Sequence, residues 1–163
     1  MALKVGDVLR FRTLGSGSLP MMKMKEGGSQ SYVAGDPLIL DGSGGFDKAA
    51  TSSALDVVGF ACGAASSVEG TTGRYIPLTA DVIIEAACAG DSEATLALQS
   101  SHIGHGAHLI NAACSGNAWY ARLGTSSSAS FRVVGFRDAT GTVHGRVFLR
   151  PTSLGIGPTW MTF

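Results

Sequence analysis

The chain has 163 residues, enough for one domain or two small lobes, and its Lys plus Arg equals its Asp plus Glu at 12 each. Only 15% of residues are charged, while Gly, Ala and Ser fill 62 positions. No basic stripe runs along the sequence to meet nucleic acid phosphates, and no apolar run of about 20 residues is there to span a membrane.

Leu, Ile, Val and Phe make up 24% of the chain, above the roughly 20% below which chains stay disordered, so a core is expected. The first residues, MALKVGDVLRF, carry charges early and have no apolar h-region, so no secretory signal is expected. Cys62, Cys88 and Cys114 form no CxxC pair. They read as small, reduced, mostly buried hydrophobes in a protein made in the cytoplasm.

Residues 1–32 read as an N-terminal strand or arm and loop. Leu3, Val5, Val8, Leu9 and Phe11 are interleaved with Lys4, Asp7, Arg10 and Arg12, and the stretch from 14 to 31, with Pro20, Met21, Met22 and Met24, has no clean period. Short apolar runs then follow between turn signals: 38–40, 57–61, 74–78, 82–87, 94–99, 108–111, 119–123, 131–136 and 145–150, with 7–13 before them. Runs of this length separated by Gly-rich turns predict an all-β fold, a compact barrel or sandwich of short antiparallel strands with extended termini. Ala94-Thr95-Leu96-Ala97-Leu98-Gln99 alternates, which favours strand over helix there.

The chain also echoes itself. Gly35-Asp36-Pro37-Leu38-Ile39-Leu40 is matched by Gly106-Ala107-His108-Leu109-Ile110-Asn111, and Val57-Val58-Gly59-Phe60 by Val133-Val134-Gly135-Phe136. Gly73-Arg74-Tyr75-Ile76-Pro77-Leu78 is matched by Gly145-Arg146-Val147-Phe148-Leu149-Arg150. The expected organisation is a β domain over 33–150 holding two related units, about 33–80 and 104–150. The Gly repeated in V-V-G-F predicts a bulge or a close backbone contact. The tail 151–163 has two Pro and two Gly among Trp160, Met161 and Phe163, so it is expected to dock rather than stand in water.

Motifs for chemistry are sparse. His102, His105 and His108 could hold Zn²⁺ only if a loop converged them, and no nearby carboxylate is placed to orient their rings. A polar turn is the expected reading, with no metal and no cofactor. No nucleophile elbow or phosphate-binding loop is present, and Asp36, Asp41, Asp47 and Asp56 read as turn residues that cap local amides. No catalytic residue is assigned, and the chain is expected not to be an enzyme.

Taken together, Gly35 to Gly45 (GDPLILDGSGG), Val57-Val58-Gly59-Phe60-Ala61 and Thr71 to Leu78 (TTGRYIPL) resemble the β-repeat of small tailed-phage head decoration proteins. In the second half, Asp81 to Ala86, Gly90-Asp91, Ala94 to Gln99 and Ile103 to Leu109 are similar to a segment of virion proteins of marine and freshwater phages. The resemblance covers about residues 33–150. It implies a capsid decoration, or cement, protein on the outer surface of the virion head, a homotrimer whose partner is the major capsid protein, with no nucleic acid or membrane partner. It implies a terminal arm that grips the shell by strand addition. The residues expected to contact the capsid or a neighbouring subunit are Leu3, Val5, Val8, Leu9, Phe11, Trp160, Met161 and Phe163, and removal of residues 1–12 is expected to spare the fold. The alternatives are a tail, fibre or baseplate module binding glycan or another virion protein, and a small metal-dependent enzyme built on the three histidines.

Overall fold

Strands form here because alternating apolar runs are cut every few residues by turn-forming Gly and Asp. The computed structural model describes residues 9–15, 17–49, 56–90, 96–111, 119–124 and 129–152. Its first six strands are β1 (Arg10–Thr13), β2 (Met22–Lys25), β3 (Pro37–Leu40), β4 (Phe46–Lys48), β5 (Gly59–Ala61) and β6 (Thr72–Pro77). The next five are β7 (Val82–Ala89), β8 (Gly106–Ile110), β9 (Tyr120–Gly124), β10 (Phe131–Phe136) and β11 (Arg146–Pro151). Among the described residues the one helical element is a 3-10 turn, Ser100–His102. The protein is all-β.

The strands make two sheets. The first has the order β2-β6-β5-β3-β4, and the second β1-β7-β11-β10-β8-β9. With β1 set aside, the two orders are the same: each unit's first strand lies beside its fifth, followed by the fourth, second and third. Both bring the same two strands together, the second unit by a strand pairing and the first by one isolated bridge. In the second unit β7 pairs in parallel with β9 through Cys88–Ala121 and Ala89–Arg122, which completes a five-stranded barrel. In the first unit a single parallel bridge, Glu26–Phe46, joins the corresponding strands, and the Gly27 amide donates to the Phe46 carbonyl at 3.0 Å. The three echoed segments occupy equivalent strands, β3 and β8, β5 and β10, β6 and β11.

The repeated glycine serves a different purpose in each copy. A Cβ on Gly59 would run into the Ile76 carbonyl oxygen and the Tyr75 ring, so only glycine lets β5 approach β6. At Gly135 the nearest atom would be Phe148 Cδ2 at 3.4 Å, an ordinary contact. There the β10–β11 register shifts between Val133 and Gly135, so the second copy carries the bulge.

The cores follow from the alternation. Tyr32, Leu38, Phe46, Ala61 and Tyr75 pack together in the first barrel, with Phe46 5.5 Å from Tyr32 and 5.8 Å from Tyr75 between ring centroids. The second barrel is lined by smaller groups, Ala86, Cys88, Ala107 and Ala121, with Leu109, Phe131 and Leu149. The same apolar cluster continues into Val57, Phe60, Ile76 and Leu78 of the first unit, so one core runs through both. Phe60 is fully buried, and truncating such a side chain to Ala costs about 3–5 kcal/mol.

Two expectations are corrected, and one strand has no counterpart among the expected runs. Residues 22–25 are a strand of the first sheet rather than part of an arm, because Met22 to Lys25 pair in register with Tyr75 to Thr72. The strand expected at 94–99 is reduced, among the described residues 96–99, to one antiparallel bridge between Ala97 and Val143. Leu98 there is buried, so its burial, not sheet extension, produces the apolar period. Finally, β4 has no apolar alternation of its own. The hairpin with β3 imposes it, as the Asp41 carboxylate accepts the Ser43 and Gly45 amides at 2.7 and 2.9 Å, and Gly42 and Gly44 take positive φ of 82° and 91°.

Candidate functional site

The sheet formed by β1, β7, β11 and β10 gathers charges that are scattered in sequence. Directly opposed residues of antiparallel strands point to the same face. Arg10 opposes Glu85, and Arg12 opposes Ile83. Phe148 opposes Glu85, and Arg132 opposes Arg150. With Arg137 and Arg146 reaching the same Glu85, six of the eight arginines of the chain share the outer face of the second barrel. The reading that no basic stripe exists is therefore true of the linear sequence and not of this surface.

Glu85 is the hub of the face and is buried. Its Oε1 accepts from Arg146 Nε and Arg137 Nη1, both at 2.6 Å, and its Oε2 from Arg12 Nη2 at 3.0 Å. Burial pushes the carboxyl up, but the hydrogen bonds from Arg137, Arg12 and Arg146 outweigh it and hold it below the usual range. Arg12 also lies over the Phe148 ring, 4.3 Å from the centroid. Arg132 and Arg150 have no carboxylate partner among the described residues. Arg150 Nη2 donates to the Ala80 carbonyl at 3.1 Å, and the two arginines line a depression of about 320 Å³ with Val134, Pro151 and Thr152. The sequence signal for this face was the spacing by two or four within strands: Arg10 and Arg12, Arg146 and Arg150.

The expected contact residues divide. Leu9 is buried in the core, and Phe11 packs on the same cluster with its ring 4.7 Å from Phe60. Neither is free to reach a partner, because β1 is a strand of the second sheet and not a detached arm. Leu3, Val5, Val8, Trp160, Met161 and Phe163 lie outside the described residues, as does Cys114. What β1 does offer is a sheet edge, since it stands at the end of the strand order. Beyond it, Leu14, Met21 and Met22 are at least half exposed.

The histidines do not converge. His102 is buried, and its Nδ1 accepts the Gln99 amide at 3.2 Å to fasten the 3-10 turn. The His105 ring lies beside it, tilted, with centroids 5.5 Å apart, while His108 lies on β8 opposite Arg122. Burial, then the neighbouring His105 or Arg122 charge, lowers both His102 and His108. Among the described residues no group of three His, Cys, Asp or Glu side chains is placed to hold a metal ion.

A second depression, about 380 Å³, opens on the first barrel between Glu26, Tyr32, Cys62, Ser66 and Arg74. The Glu26 carboxylate accepts the Ser66 amide and hydroxyl at 3.0 Å each. Burial of Cys62 pushes its thiol up, against the lowering effect of Arg74, which keeps it a thiol at neutral pH. Sequence reasoning also missed the joint between barrels. Asp36, expected to be a turn residue, is buried. Its Oδ1 accepts the indole N–H of Trp119 at 2.7 Å, and its Oδ2 meets the Val33 amide and Lys48 Nζ at 2.9 Å each. Only the fold brings Trp119 to it.

Comparison with protein-family models, curated proteins and solved structures finds no match for this chain.

Proposed function

We propose that this chain is a structural protein of a tailed-phage virion that binds the outside of the head as a homotrimer and cements neighbouring major capsid proteins. The observation that carries the reading is the edge strand β1, at the end of the second sheet with no further strand beyond it among the described residues. Such an edge presents unpaired amides and carbonyls that a partner strand can add to, the mode of strand addition. Arg10 and Arg12 on that strand keep it from pairing indiscriminately. The resemblance of residues 33–150 to decoration proteins and the doubled barrel both favour a binding module. Many weak copies stabilise a shell by avidity and by binding only its expanded form. In this reading Trp160, Met161 and Phe163 supply apolar contacts to the neighbouring subunit or shell.

The test is electron microscopy of assembled particles carrying a tagged full-length chain. Density on the outer head surface at trimeric positions is expected. Density on the tail, fibre or baseplate instead supports the glycan- or virion-binding alternative and removes the cement role. The N-terminal grip is tested by deleting residues 1–8, which spares Leu9 and Phe11 of the core. The shortened chain keeps the β1 edge, so it is expected to unfold at the same temperature and to occupy heads more weakly, without Leu3, Val5 and Val8. Full occupancy would show that the β1 edge carries the grip without residues 1–8.

A further inference from the structure

Resting on the binding role just proposed, we infer that the arginine face of the second barrel is a docking surface for an acidic protein segment, with Arg132 and Arg150 as its carboxylate-receiving pair. Two like charges directly opposed across antiparallel strands destabilise a sheet. Arg132 and Arg150 are such a pair, and no carboxylate among the described residues relieves them. Glu85 is engaged with Arg12, Arg137 and Arg146 on the same face. The nearest acidic neighbour in sequence, Asp138, accepts the Arg146 amide at 2.8 Å. Arg132 is exposed and Arg150 half-exposed.

The row across four strands explains the shape of the ligand. Arg12 faces Ile83, Arg150 lies one residue beyond the Leu149–Ile84 pair, and Arg132 completes the row. Neighbouring strands lie about 5 Å apart, so Arg132 and Arg150 are adjacent and Arg12 stands two strands further on, across Ile83, a row that an extended chain with carboxylates on one side can follow. Each planar fork binds a carboxylate through two parallel hydrogen bonds. The apolar groups in the row decide the class of partner. Val134 is 43% exposed beside the pair, Pro151 lines the same depression, and the Phe148 ring lies under Arg12. Arginines mixed with apolar and aromatic side chains characterise protein interfaces. A phosphate backbone would call for an unbroken basic surface, and this chain has zero net charge. The molecule already pairs three of these arginines with a carboxylate of its own. The partner's acidic side chains do for Arg132 and Arg150 what Glu85 does for their neighbours.

The experiment measures fluorescence anisotropy of a labelled octaglutamate peptide with the full chain, over a salt series. Binding that weakens steeply with salt is expected, and the Arg132→Thr, Arg150→Thr double variant is expected to bind at least tenfold more weakly. That same variant is expected to melt at an equal or higher temperature, because the like-charge pair is gone. A purely structural role for the pair predicts the opposite shift. The Lys23→Thr, Lys25→Thr variant removes the same charge from the first barrel and is expected to bind within twofold of the parent. Arg132→Thr alone, at an exposed side chain, is expected to weaken binding at least threefold, which keeps the test available if the double variant does not fold. The assignment is overturned if the parent does not bind the peptide, or if both double variants weaken it equally. It is also overturned if a single-stranded dodecanucleotide binds more tightly than the peptide at about 0.15 M salt. Because no particle is used, failure here leaves the capsid reading standing, and loss of that reading leaves this surface standing.

Discussion

The two barrels share one strand order but not one chemistry. The first is filled by the aromatic side chains Tyr32, Phe46 and Tyr75, and its outer residues Phe60, Ile76 and Leu78 are buried in the cluster shared with the second. The second is filled mostly by Ala, Cys, Leu and Val around Phe131 and turns an arginine face outward. Their closing strands differ as well. β2 is four residues long and mostly exposed, whereas β7 is eight residues long and buried throughout. That length lets β7 pair with β11 on one edge and share the other edge between β1 and β9. One topology can thus be specialised by changing which face is apolar: one copy becomes the inner wall of the joint, and the other keeps a charged outer face.

The largest expected effect comes from breaking the joint. Asp36→Ala removes the acceptor for Trp119 and leaves Lys48 without its 2.9 Å partner. A loss of about 3–5 kcal/mol is expected in urea denaturation. A single cooperative transition is expected in the parent, because one core spans both barrels; two separate transitions would show that they fold independently. Next is the hub of the outward face. Glu85→Ala leaves Arg146 buried without its carboxylate and is expected to cost about 3 kcal/mol.

The repeated glycine sharpens the comparison. Gly59→Ala forces a methyl against Ile76 and Tyr75, and a loss of about 1–3 kcal/mol is expected. The same change at Gly135 meets only ordinary contact and is expected to be neutral or to stabilise by about 0.5 kcal/mol through lower chain entropy. Equal effects at the two sites would contradict their different roles.

The smallest effect is the pH response, which the two barrels share. His102 and His108 sit below their usual value in the folded chain. The unfolded chain therefore takes up protons first, and stability declines as pH falls below about 6.5. Replacing both by Gln is expected to flatten that decline. A second decline begins lower. Glu26 and Glu85 are held below 4.5, so their contribution is present above that pH and is lost as pH falls through their lower folded values. Thermal melts from pH 8 down to about pH 2 separate the two limbs.

The sequence by itself determined the class of fold. Alternation in Phe131 to Phe136 and Arg146 to Arg150, with Gly and Asp between runs, specifies strands and turns, because a period of two is local. It also held the echoed segments now found on equivalent strands. The tertiary structure decided what no local pattern encodes. β2 and β4 are strands because β6 and β3 pair with them. Leu9 and Phe11 are core because β1 joins β7. Asp36 is a joint because Trp119, 83 positions away, reaches it. The arginines make a face because antiparallel register stacks β1, β7, β11 and β10 side by side. Net charge sums over the chain without regard to position, so a neutral sequence can carry a strongly basic surface once the strands are paired.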